Sequence, residues 1–112
     1  LGVYPDWWKL EPMTSAAAWQ ATCEAIERND AHTRGIVVLG LGATEAELAD
    51  SFNVAAQYPL VKGFAVGRTI FAEHAAAYML DEITAKDAVS RMTDSYARLC
   101  KYWDIAREKG EI

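Results

Sequence analysis

Seven consecutive residues, Gly35-Ile36-Val37-Val38-Leu39-Gly40-Leu41, constrain this chain more than any other stretch. The run is apolar and β-branched at its centre, with no polar residue to mark a solvent face, so it reads as a strand covered on both sides within a parallel sheet. Parallel neighbours need crossover connections of a dozen or more residues, normally helical. The segments on either side have the patterns that would supply them.

Upstream, Asp6-Trp7-Trp8-Lys9-Leu10-Glu11-Pro12 is a short β-prone run after a lead-in loop in which Pro5 fixes one backbone angle. Period-two alternation puts Trp7, Lys9 and Glu11 on one face and Trp8 and Leu10 on the other. Past Pro12, Thr14 or Ser15 caps a helix running to Asn29, with Trp19, Cys23 and Ile26 forming its apolar stripe. Asn29 to Thr33 is a polar connector, and His32 within it has no neighbouring His or Cys that would make it a metal ligand.

Downstream of the central run, Thr44-Glu45-Ala46-Glu47 is a capping box opening a helix through Leu48, Phe52 and Ala55 or Ala56 toward Pro59. Val61 to Val66 is a third apolar strand, closed by Gly67-Arg68-Thr69 and followed by a helix over Ile70 to Leu80. Thr84, with Asp87 three residues on, opens the longest helix. Its expected stripe is Val89, Met92, Tyr96, Leu99, Trp103 and Ala106, and Lys109 to Ile112 are expected to fray.

Strand and helix thus alternate three times, the pattern of an α/β fold with parallel strands. An open sheet of three strands leaves two unpaired edges and one uncovered face, a poor fold by itself. The expectation is therefore the C-terminal part of a TIM (β/α)8 barrel, built from three parallel βα units. Residues 1–112 then form a single partial barrel domain within a longer chain. The uncovered surface predicts a homo-oligomer, a two-fold dimer in its simplest form, since an isologous contact closes without growing filaments.

Composition bounds the function. With 52% hydrophobic and 24% charged residues the 112-residue chain is globular, and a net charge of −5 argues against nucleic-acid partners. No apolar run reaches the length of a membrane span, and the start at Leu1 without a basic leader reads as a cut end. Cys23 and Cys100 fall in helical apolar patterns without metal-ligand spacing, which reads as buried free thiols in the cytoplasm.

Two features carry chemistry. Lys9 and Glu11 lie on one strand face among apolar residues, either as a structural ion pair or as the start of an active site, since a lysine among apolar groups becomes a usable amine nucleophile. Gly40-Leu41-Gly42-Ala43 and Gly67-Arg68 follow the second and third strands, where a βα barrel holds phosphate with helix N–H groups and a guanidinium.

These stretches carry a family resemblance. Trp7 to Pro12, Gly35 to Leu41, and Val61-Lys62-Gly63-Phe64-Ala65-Val66-Gly67-Arg68-Thr69-Ile70-Phe71 resemble the C-terminal portion of the aldolase-like domain fused to the sugar kinase of bacterial myo-inositol catabolism, 5-dehydro-2-deoxygluconokinase. That domain is similar to class I tagatose-bisphosphate aldolases, whose Lys-Val-Glu strand and terminal Gly-Arg strand match Lys9-Leu10-Glu11 and Gly67-Arg68. The resemblance implies Lys9 as the Schiff-base lysine with Glu11 as a neighbouring polar group. It implies Gly40, Gly42, Gly67 and Arg68 as the phosphate seat, with no metal and no cofactor.

The implied substrate is a phosphorylated keto sugar acid, 2-deoxy-5-keto-gluconate 6-phosphate, cleaved to dihydroxyacetone phosphate and malonate semialdehyde. The implied partner is an adjoining kinase domain, and the alternative role is a non-catalytic barrel that regulates or dimerises it. The chain itself has no glycine-rich nucleotide loop and no Gly-x-Gly-Asp anion hole. It also lacks the acid/base carboxylates that such barrels carry on earlier strands, so the isolated chain is expected to be inactive.

Overall fold

The computed structural model describes residues 2–109. Three strands, β1 (Trp7–Leu10), β2 (Gly35–Val38) and β3 (Val61–Phe64), form one parallel sheet in the order β1-β2-β3. Four helices complete the fold: α1 (Ala16–Asn29), α2 (Glu45–Ala55), α3 (Arg68–Met79) and α4 (Ala85–Lys109). The chain is mixed α/β, and each strand lies beside its neighbour in sequence.

The strand ends are earlier than the apolar runs suggest. β2 stops at Val38 because Leu41 and Gly42 both take positive φ, 49° and 74°, in a turn closed by the Ala43 N–H on the Gly40 carbonyl. Single bonds carry the ladder slightly further, from Leu39 N–H to the Leu10 carbonyl and from Ala65 N–H to the Val38 carbonyl. Glu11 falls just past β1.

Register assigns the faces. Trp8 and Leu10 stand beside Ile36 and Val38, and these pack with Val61, Phe64, the α1 stripe Trp19, Cys23 and Ile26, and Leu48, Phe52 and Ala55 of α2. Trp7 and Lys9 stand beside Gly35 and Val37 on the other face, where Trp7 and Lys9 are exposed and Val37 is only half-buried. The expectation that β2 is covered on both sides is therefore corrected: the helical core covers one face. A run of β-branched residues records strand propensity on both sides of the pleat but not what eventually lies over each.

Capping follows the sequence. Ser15 Oγ accepts from the Ala18 N–H and Thr44 Oγ1 from the Glu47 N–H. At α4 both halves of the box form, with Asp87 N–H on Thr84 Oγ1 at 3.1 Å and Thr84 N–H on Asp87 Oδ2 at 3.4 Å. The expected stripe of α4 holds in its second half, where Leu99, Trp103 and Ala106 are buried. It is rotated in the first half, where Ala88 and Ser95 are buried while Val89 and Tyr96 are 63% and 54% exposed. There α4 packs along α3 while the Tyr96 ring reaches Phe64 of β3, its centroid 6.2 Å away, and small side chains let the two helices approach; Ser95 also finds a polar partner. Arg107 anchors the far end of α4, donating to the Tyr58 and Val61 carbonyls with its guanidinium 5.0 Å from the Trp103 ring centroid. The fraying expected over Lys109 to Ile112 concerns residues outside those described, except Lys109, which ends α4.

Candidate functional site: a cationic cavity at the strand ends

The three strands point their C-terminal ends at a cavity of about 290 Å³. Lys9 reaches it from β1, Leu39 to Gly42 from the turn after β2, and Ala65 to Gly67 with Arg68, Thr69 and Phe71 from the junction of β3 and α3. Five of the six site residues read from the sequence thus share one cavity: Lys9, Gly40, Gly42, Gly67 and Arg68. Glu11 lies outside it, and among the described residues it makes no ion pair with Lys9; the ion pair found is Arg98 with Glu45.

Glycine is needed here for closeness. A Cβ on Gly40 would stand 2.9 Å from Val66 Cγ1, so the turn after β2 approaches the end of β3 closely because Gly40 lacks a side chain, while one on Gly67 would stand 3.0 Å from Phe71 Cε1 in the first turn of α3. Gly42 adopts φ 74°, and its Cα faces the Arg68 guanidinium. Thr69 ties the loops together, its hydroxyl donating to the Ala43 carbonyl at 2.6 Å.

α3 begins at Arg68 with Gly67 as its N-cap, so no side chain satisfies the first helical N–H groups. Lys9, Arg68 and the start of α3 border a cavity whose lining, among the described residues, includes no Asp or Glu. On a chain of net charge −5 this is a local concentration of positive charge and donors, suited to an anion. No metal-ligating cluster of His, Cys, Asp and Glu occurs among the described residues.

A family model described as "uncharacterized protein conserved in bacteria", DUF2090, matches residues 1–107. The chain belongs to this family. No curated protein and no solved structure matches it.

Two further features of this DUF2090 chain were not legible in sequence. Between β1 and α1 lies a groove of about 760 Å³ lined by Val3, Tyr4, Trp8, Leu10, Ala25 and Ile26 among others. At its base Asp30 is 2% exposed and accepts from the Trp8 indole N–H at 3.0 Å and the His32 backbone N–H at 3.1 Å. Asp30 lies at the start of the polar connector, where it is buried in contact with Trp8; His32 itself is exposed. The second feature is a polar cavity of about 390 Å³ among α2, α3 and α4, lined by Thr44, Glu45, Glu73, His74, Ser95 and Arg98. The stripe read from periodicity passes through Tyr96 and leaves Ser95 off it, so the sequence carries no signal for this cavity.

The cysteines are free, Cys23 buried and Cys100 half-buried. Burial, reinforced by the nearby Glu27 carboxylate, pushes the Cys23 thiol above its ordinary value. No helix among the described residues is long and apolar enough to cross a membrane.

Proposed function

We propose that this DUF2090 chain forms three consecutive βα units at the C-terminal side of a TIM (β/α)8 barrel, and that its cavity serves a class I aldolase acting on a phosphorylated keto sugar acid. The strand order β1-β2-β3 is the order of successive barrel strands, and the helices leave one sheet face uncovered, as the inner face of a barrel requires. The radius of gyration is 16.1 Å. A compact domain of this length has about 13 Å, so the fold is more open than a closed core. The free outer edge of β1 and the groove beside α1 are where a preceding parallel unit fits.

The observation that carries the activity is the shared cavity of Lys9 and Arg68 at the C-terminal strand ends. In this reading Arg68, the Gly42 backbone and the first N–H groups of α3 hold the phosphate. The unprotonated Lys9 amine then attacks the substrate ketone, and loss of water leaves an iminium. The iminium accepts the electron pair of the breaking carbon–carbon bond, the departing carbon leaves as an aldehyde, and proton return with hydrolysis frees the ketone product and the amine. The substrate implied by the resemblance is 2-deoxy-5-keto-gluconate 6-phosphate.

Borohydride added with that substrate, in a protein carrying this chain within its complete barrel, tests the proposal. Reduction should mark Lys9 covalently and Lys9→Met should abolish both the mark and cleavage. Trapping at another lysine would end the assignment. The second reading, a non-catalytic barrel that regulates or dimerises an adjoining carbohydrate kinase, is favoured by one observation: the cavity lining includes no carboxylate or histidine for proton transfer. Under that reading borohydride with the substrate marks no lysine of the chain.

A further inference from the structure

The phosphate seat has two walls, the Gly40–Ala43 turn that leads into α2 and the Gly67–Thr69 start of α3. α3 carries Arg68 in its first turn, yet none of its residues is fully buried. Apolar packing alone therefore sets its rotation about its own axis weakly, and that rotation decides where Arg68 points.

Polar contacts supply what packing does not. His74, about two turns into α3, shares a hydrogen bond between Nε2 and Ser95 Oγ at 3.2 Å. Ser95, on α4 and 2% exposed, also accepts from the Arg98 guanidinium at 3.1 Å. Arg98 continues to Glu45 with two bonds, Nε to Oε2 at 3.2 Å and Nη2 to Oε1 at 3.1 Å. Glu45 is the first residue of α2, into which the Gly40–Ala43 turn leads. The contacts thus run from one wall of the anion site, through α4, to the other. The Thr69–Ala43 bond joins the same two walls at the site itself.

We propose that His74, Ser95, Arg98 and Glu45 act as positioning residues that orient α3 and so hold Arg68 over the Gly42 backbone. The inference rests on the anion-site reading of the cavity. Four groups in sequence matter more than their separate strengths, because the exposed Arg98–Glu45 pair alone contributes little to stability. Its effect falls on orientation, and a guanidinium turned away from a phosphate loses its paired hydrogen bonds.

Inorganic phosphate titrated into the chain, followed by the amide resonances of Gly42 and Gly67, provides the test. Ser95→Ala and His74→Ala should each weaken phosphate about three- to tenfold, less than removal of the Arg68 guanidinium. His74→Gln, which keeps an amide able to hydrogen-bond near the Ser95 hydroxyl, should restore most of the affinity. In an Arg68→Ala background, Ser95→Ala should change nothing further. Arg98→Ala asks the same question at an exposed position, should a change at buried Ser95 prevent folding.

Wild-type affinity in both Ser95→Ala and Arg98→Ala would overturn the proposal. So would equal losses with and without Arg68, which would mark a general effect on the fold. If phosphate does not bind the unmodified chain, or Arg68→Ala binds it unchanged, the anion-site reading falls and the positioning role with it.

Discussion

Arg68 and Gly42 face each other across the mouth of the cavity: a Cβ placed on Gly42 would lie 3.8 Å from the Arg68 guanidinium carbon. The contact leaves room for a methyl group but the backbone does not welcome one, since Gly42 has φ 74°. Gly42→Ala should cost about 1–2 kcal/mol of stability, the usual penalty of left-handed backbone for a residue with a side chain. Arg68→Ala should instead leave the melting temperature unchanged and weaken phosphate or phosphosugar binding about tenfold or more, as loss of a charged paired hydrogen bond does. Thermal melts and a phosphosugar titration separate the two. Equal affinity in Arg68→Ala and the parent would move the site elsewhere.

Trp8 and Asp30 give a second expectation. Trp8→Phe keeps most of the apolar surface toward the groove but removes the indole donor from a carboxylate that is 2% exposed. Leaving one partner of a buried acid unmatched costs about 1–3 kcal/mol. Urea unfolding should show the midpoint falling with an unchanged slope. A midpoint equal to wild type would mean that water takes over the contact.

The buried thiol of Cys23 predicts a pH dependence. Its folded pKa is raised above the ordinary 9.0, first by burial and then by Glu27. The folded chain therefore holds this proton more tightly than the unfolded chain. That contribution is complete below the ordinary thiol range and is lost as pH climbs through the higher folded value. Denaturant midpoints should decline above about pH 9 less steeply in Cys23→Ala than in the parent. Iodoacetamide at mildly alkaline pH should modify half-buried Cys100 well before Cys23. Equal rates would show that α1 opens readily.

The free edge of β1 predicts association. The carbonyls of Asp6 and Leu10 accept from Arg34 and Leu39 on the β2 side. Alternate residues of a strand direct their backbone groups to opposite edges, so those of Trp7 and Lys9 face outward. Beside them lies the apolar groove of Trp8, Leu10 and Ile26. Sedimentation of the isolated chain at micromolar concentration should show self-association, a two-fold dimer being the closed form. Trp7→Pro removes an outward N–H without touching the β2 ladder and should shift the equilibrium to monomer. A compact monomer of the unmodified chain would count against the partial-barrel reading.

Much of the local structure could be read from the sequence because its causes are local. Ser15, Thr44 and Thr84 cap helices through bonds spanning three residues, and Trp19, Cys23 and Ile26 bury one face of α1 through the helical period. The grouping of Lys9 with Gly40, Gly42, Gly67 and Arg68 was also foreseeable, since parallel strands joined by helices bring their C-terminal ends to one side. Glu11 falls one residue past the end of β1 and does not line this cavity, because alternation fixes the face of a residue but not where the strand stops.

What the sequence by itself determined was the alternation of three strands with helices, the caps, and the end of the sheet at which cations and glycines collect. Only the tertiary structure decided which sheet face the helices cover, how far α4 rotates between Tyr96 and Ser95, and that Asp30 and Ser95 are buried polar groups with partners. The physical reason is range. Propensity, capping and periodicity act within a turn or a strand, whereas burial depends on which surfaces meet, and α3 and α4 meet through residues that periodicity alone leaves to solvent.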